Sequence, residues 1–173
     1  EGAETSIDPS SFNFYTDFDD MLSKEQLDAV AITLPTNLHP GFSSKALKAG
    51  VNVFCEKPMA LTVDECEGMI AVAKESGKVL MIGHCVRFWP EYAWVRQAIV
   101  AGTYGRVRDA RFRRVAQAPA WGHQHFLKGS DSGGALFDLH VHDTDFVVHC
   151  FGRPRSVTSG GYSKVSGAID HVF

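Results

Sequence analysis

The densest ionisable stretch of the chain runs Gly133-Gly134-Ala135-Leu136-Phe137-Asp138-Leu139-His140-Val141-His142-Asp143-Thr144-Asp145. Read as a helix, it puts Asp138 and His142 four residues apart on one face, and Asp145 extends that face. A carboxylate beside an imidazole raises its basicity and fixes its tautomer, which suits a general base near neutral pH. The plain alternative is a capped amphipathic helix with solvated charges. The acid four residues before the imidazole and the Gly-Gly entrance favour chemistry. The same letters also alternate at period two from Phe137 to His142. On a strand, His140 and His142 would share a face able to hold a divalent metal, as at the opening of a metal-dependent hydrolase barrel. Such barrels need ~250 residues and begin with the His pair. Here 137 residues precede Asp138, so no metal site is expected.

Two further segments offer polar groups at strand ends. Glu56-Lys57-Pro58 follows the apolar run at 51–56. In open parallel sheets ligands bind outside the carboxyl ends of strands, so Lys57 is aimed at that crevice. Its ammonium can grip a hydroxyl or phosphate with three donors. A surface lysine paired with Glu56 fits its position equally well. Thr33-Leu34-Pro35-Thr36-Asn37-Leu38-His39 closes the preceding run with a hydroxyl, an amide, an imidazole and backbone N–H groups. Taken alone, it reads as an ordinary turn with an Asn cap sooner than as a nucleotide-site wall.

The elements that must position these groups can be laid out in order. Residues 27–34 (LDAVAITL) read as a buried strand, 39–49 as a helix closed by Gly50, and 51–56 as a second strand stopped by Pro58. Thr62 and Glu65 form a capping box. The helix it opens carries Cys66, Met69, Ile70 and Ala73 on one face and stops at Gly77, before a third strand at 79–82. Short unbroken apolar strands alternating with helices predict a doubly wound parallel sheet, buried on both faces. A Pro-led helix is expected at 90–101, anchored by Trp94, Ile99 and Val100 and closed by Gly102. Residues 106–115 alternate loosely, as an open strand would. A single helix is expected over 134–150, after the break at 129–134. The tail at 156–173 reads as two strands of an unfinished sheet. The fold class is therefore α/β: an incomplete Rossmann-type sheet over residues 1–103, then the start of an α+β domain with a mostly antiparallel sheet over 104–173.

The composition narrows the partners. Of 173 residues, 45% are hydrophobic and 21% charged, an ordinary globular balance, and the net charge is −3. Mild acidity makes nucleic acid and anionic membrane poor partners. No apolar run approaches the ~18 residues of a bilayer span. Cys55, Cys66, Cys85 and Cys150 lie 11, 19 and 65 apart with no CxxC, which reads as reduced structural thiols in a cytoplasmic protein. Cys55 and Cys85, in or beside apolar runs, are expected to act as small hydrophobes.

In combination these segments resemble the Gfo/Idh/MocA family, relatives of glucose–fructose oxidoreductase and inositol dehydrogenase. The family's strand-end E-K-P stands as Glu56-Lys57-Pro58, after its T-P-x-x-x-H-like loop at 33–39. Its G-H-x-x-R-F-x-P is Gly83-His84-Cys85-Val86-Arg87-Phe88-Trp89-Pro90, and its G-G-x-x-x-D-x-x-x-H-x-x-D is Gly133, Gly134, Asp138, His142 and Asp145. The resemblance implies hydride transfer between NAD or NADP and a hydroxyl or carbonyl of a sugar or cyclitol. Lys57 would hold the reacting hydroxyl, His142 would exchange its proton and Asp138 would orient them. Thr33, Leu34, Pro35, Asn37, His39, Glu56, Lys57 and Arg87 would wall the cofactor, and Trp121 and Phe126 the substrate. It also implies a homo-oligomer, dimer or tetramer, joined through the C-terminal sheet. The G-x-G-x-x-G turn is not in this sequence, so an internal portion of a longer enzyme is expected. An NAD-dependent glycosidase of the same fold and a non-catalytic fragment stand as alternatives.

Overall fold

The computed structural model describes residues 8–117 and 127–173. Three short strands, β1 (Ala29–Ile32), β2 (Asn52–Cys55) and β3 (Leu80–Ile82), pair in parallel in the order β1-β2-β3. Ile32 lies beside Cys55, and Cys55 beside Ile82. The three carboxyl ends are level, so the loops leaving them open on one edge. Parallel neighbours need crossovers, and the helices α2 (His39–Lys48) and α3 (Val63–Ser76) supply them. Ahead of the sheet, α1 (Phe18–Lys24) rests on α2, with the Phe18 and Phe42 rings 5.0 Å apart and Lys45 paired to Asp19 at 2.6 Å.

The helix boundaries follow the capping residues. The Thr62 hydroxyl accepts the Glu65 N–H at 3.2 Å, and the Glu65 carboxylate accepts the Thr62 N–H at 3.1 Å, so the capping box is complete. At the far end Gly77 takes φ 65°, where a side chain would be strained, and stops the helix. Thr62→Ala is expected to lower stability by ~1 kcal/mol, read as a lower urea midpoint at unchanged slope.

Burial in the sheet differs from the expectation of two covered faces. Val30, Ile32, Val53 and Cys55 are buried with Ala46, Leu47 and Met69, whereas Ala29, Ala31 and Phe54 are exposed. Strand side chains alternate, and α2 and α3 pack together over the same face, so among the described residues only that face is covered. On α3, Cys66, Met69 and Ala73 turn inward as the spacing requires, but Ile70 remains 43% exposed. Ile70 borders an apolar groove of about 520 Å³ with Met59, Leu80 and Ile82, which shares no residue with the polar cluster described below. Cys85 is exposed too, contrary to its expected role as a small hydrophobe; all four cysteines are free thiols.

Beyond the sheet, a 3₁₀ turn at Cys85–Phe88 leads into α4 (Pro90–Ala101), whose limits are those expected, with Gly102 at φ 66°. Its inner anchor is not Trp94 or Val100, which are 56% and 67% exposed. It is Tyr92, whose ring meets buried Phe146 edge-on at 4.9 Å. Residues 106–115 are not a strand. They find no ladder partner among the described residues, and their contacts are made by the alternate side chains Phe112 and Arg114 instead.

The expected single helix over 134–150 is helical but interrupted. A turn, α5 (Gly129–Ser132), precedes α6 (Gly134–Asp138) and α7 (Val141–Phe151), with Leu139 and His140 between the last two. Gly134 has φ 70°, and a Cβ there would lie 2.9 Å from the Ile169 carbonyl oxygen, so this entrance requires glycine. The tail does form two strands, β4 (Gly161–Tyr162) and β5 (His171–Val172), antiparallel. They dock on the entrance through Gly129 N–H to the Ser166 carbonyl (2.8 Å) and Leu136 N–H to the Ile169 carbonyl (3.1 Å).

Candidate active site

Lys57 leaves the carboxyl end of β2 and turns towards α6. Its Nζ donates to Asp138 Oδ1 at 2.7 Å and to the Asp138 carbonyl at 2.8 Å, across 81 residues of sequence. Both side chains are largely buried, so solvent screens the pair less than a surface ion pair, and removing either partner would strand the other's charge. That carbonyl is an orphan acceptor at the end of α6, and the ammonium satisfies it. The Glu56 carboxylate does not pair with the ammonium; it accepts the Lys57 backbone N–H at 3.1 Å.

His142 stands in the first turn of α7, half-buried. Burial is the main influence pushing its imidazole below the usual value, and the Lys57 and Arg114 cations push the same way; Asp138 and Asp143 partly oppose them. Its Nδ1 is buried and has no hydrogen-bond partner among the described residues. The ring is therefore neutral at pH 7 and able to accept a proton.

One turn further on, Asp145 takes a two-pronged grip from Arg87, Nε at 2.8 Å and Nη2 at 2.5 Å. His84 Nε2 lies 3.7 Å from the same carboxylate. Burial lowers the proton affinity of His84 as well, and its Nδ1 is likewise buried without a partner among the described residues. Asp138 thus engages the loop after β2 and Asp145 the segment after β3, with His142 between them. His84 was not among the expected site residues. The signal available for it was its place in Gly83-His84-Cys85-Val86-Arg87, directly after β3.

The loop after β1 is arranged as two layers. Thr33, Leu34 and Asn37 are exposed and Pro35 is partly so, at the same carboxyl edge as Glu56 and Lys57. His39 is different: it is 1% exposed, and its two ring nitrogens lie 2.8 Å from the carbonyl oxygens of Pro58 and Leu34. It fastens the loops after β1 and β2 to each other from below. Trp121 and Phe126 lie outside the described residues. The strand that would have aligned His140 and His142 for a metal is replaced by the α6–α7 break, and no metal-holding group of three His, Cys, Asp or Glu occurs among the described residues.

A parallel sheet with a cation, a carboxylate and an imidazole gathered at its carboxyl edge is the plan of an α/β protein that binds its ligand at that edge. Residues 2–84 match the family model described as oxidoreductase family, NAD-binding Rossmann fold, and residues 92–172 match the GFO/IDH/MocA C-terminal domain. The chain belongs to the Gfo/Idh/MocA family of oxidoreductases. It is 33% identical over 165 residues to the 2,7-anhydro-N-acetylneuraminate hydratase of Mediterraneibacter gnavus, covering 93% of this chain and 43% of that protein. It is 32% identical over 142 residues to the scyllo-inositol 2-dehydrogenase (NAD(+)) of Bacillus subtilis, covering 82% and 40%. The crystal structure of a putative myo-inositol dehydrogenase from Sinorhizobium meliloti superposes with a TM-score of 0.73 at 29% identity, over 90% of this chain and 48% of that one. The chain spans about two-fifths of the length of the curated relatives it matches. No helix among the described residues is long and apolar enough to cross a membrane.

Proposed function

We propose that this chain carries the acid/base half of an oxidoreductase site, which exchanges a hydride between NAD or NADP and a hydroxyl or carbonyl of a sugar or cyclitol. The observation that carries this reading is the Lys57–Asp138 pair set beside a neutral, half-buried His142. The residues at the sheet edge suit a nicotinamide: apolar Leu34 and Pro35 beside the Asn37 amide, while the buried Nδ1 atoms of His84 and His142 have no partner among the described residues. When bound, the nicotinamide supplies the hydride acceptor or donor.

This chain's own residues handle the proton. In the oxidation direction, Lys57 Nζ keeps two of its three hydrogens on Asp138 and turns the third to the substrate oxygen. The ammonium stabilises negative charge as it develops on that oxygen, and the His142 ring accepts the proton. In reduction the imidazolium returns it. Asp138 holds Lys57 in place and keeps the local charge balanced. Thr33, Leu34, Pro35, Asn37 and Glu56 belong to the cofactor side in this reading. His39 acts as a tie between two loops, and Arg87 ties the segment after β3 to α7.

The deciding experiment incubates the whole protein with NAD or NADP and a panel of polyols and sugars while nicotinamide absorbance is followed. Stoichiometric reduced nicotinamide with one substrate class supports the proposal. A second reading is favoured by the hydratase names among the relatives: water addition or glycoside cleavage with no net change in nicotinamide. It predicts substrate turnover without an absorbance change. Cytoplasmic residence and a homo-oligomer through the β4–β5 sheet complete the proposal, supported by the four free thiols and by exposed Tyr162 on β4 and Phe173 directly after β5.

A further inference from the structure

Behind the His142 turn lies a second set of charges that the proposed chemistry does not use. Arg114, on the extended segment at 106–115, donates from Nε to Asp143 Oδ2 at 2.8 Å and from Nη2 to Asp143 Oδ1 at 2.9 Å. The same Nη2 lies 3.2 Å from the Tyr92 hydroxyl of α4. Asp143 is the residue after His142 and is buried, so its charge must be answered inside the protein. Around the ion pair, Phe146 of α7 packs between Tyr92 and Phe112 at 4.9 Å and 6.1 Å. Arg114 and Phe112 stand two apart on one side of their segment, as Asp143 and Phe146 stand three apart on one face of α7. A single contact thus joins three elements at the turn that carries His142.

We propose that Arg114 is a positioning residue for the acid/base imidazole: its planar fork on Asp143 sets the first turn of α7 and so the place of the His142 ring. The inference rests on the acid/base reading of His142. An arginine suits this task where a lysine would not, because two parallel N–H···O bonds fix orientation as well as distance. The charged groups acting on His142 are Lys57 after β2, Asp138 of α6, Arg114 of the extended segment and Asp143 of α7 itself. Arg114 and Asp143 act on the ring with opposite signs.

The test uses Arg114→Met, Arg114→Lys and Asp143→Asn in the whole protein, with NMR titration of the His142 ring beside steady-state kinetics. Arg114→Met removes a cation and leaves Asp143 unanswered, so the His142 midpoint should rise. Asp143→Asn should lower it. In the kinetics, Arg114→Met is expected to lower kcat by about tenfold or more with KM within about twofold, since the loss falls on alignment and not on substrate grip. Arg114→Lys should recover part of kcat. Should Arg114→Met fail to fold, Arg114→Lys and Asp143→Asn carry the same comparison. An unmoved His142 titration with unchanged kcat in folded variants overturns the proposal. If the whole protein shows no net nicotinamide turnover, the oxidoreductase reading fails while the two opposite titration shifts still judge the positioning.

Discussion

Replacing His142 with alanine is expected to lower kcat by ~10²–10⁴ while nicotinamide binding to the whole protein survives. The magnitude is that of a positioned proton acceptor removed from a step that must lose a proton with the hydride. The pH dependence supplies the independent check. Burial, with Lys57 and Arg114, holds the imidazole below its ordinary value of about 6.5. Oxidation needs the neutral ring, so kcat should rise with pH through a limb lying below that value and level off above it. Reduction needs the imidazolium, so the limb should invert. Both limbs should vanish in the alanine variant. A His142→Ala protein with wild-type kcat and an unchanged profile would refute the mechanism.

Lys57→Ala should lower kcat by ~10²–10³ and raise KM as well. The ammonium is placed to grip the substrate oxygen in the ground state and to stabilise the charge that grows on it in the transition state, so both constants carry the loss. The substitution also leaves the Asp138 carboxylate, largely buried, without its cation, and leaves the α6 carbonyl without its donor. A lower Tm is therefore expected alongside the kinetic loss. Asp138→Asn separates the two effects: it keeps an acceptor for Lys57 and removes the negative charge, and should cost less in kcat than Lys57→Ala. Because Lys57 is also a cation acting on His142, its loss should move the acid limb upward in pH. A Lys57→Ala enzyme whose KM rises with kcat unchanged would reduce Lys57 to a binding contact.

The helix signals in the sequence are local, and they were legible for that reason. Thr62 and Glu65 sit at the spacing of a capping box and form one; Gly77 and Gly102 stop their helices at positive φ; Pro90 opens α4. The Asp138, His142 and Asp145 spacing already gathered two carboxylates and an imidazole in one short stretch, though the helix expected to carry all three on one face breaks between Asp138 and His142. Glu56-Lys57-Pro58 already placed a cation at a strand end.

What each of these groups meets was decided elsewhere. Whether Lys57 paired with Glu56 or entered a site was open in the sequence, and its actual partner lies 81 residues away. The break between α6 and α7 has no proline to announce it, and its freed carbonyl is satisfied by that same distant ammonium. Strand periodicity at 106–115 was a poor guide, because a strand needs a neighbour with free N–H and C=O groups and this segment instead spends Phe112 and Arg114 on α7. Burial of His39 and exposure of Ile70 turn on which face α2 and α3 share. The sequence by itself determined the caps, the strand-end loops and the inventory of acids and bases, since these depend on neighbours within about four residues. The tertiary structure alone decided the Lys57–Asp138, Arg87–Asp145 and Arg114–Asp143 pairs and the burial that lowers the proton affinity of His142, since pairing and desolvation depend on distance in space and not along the chain.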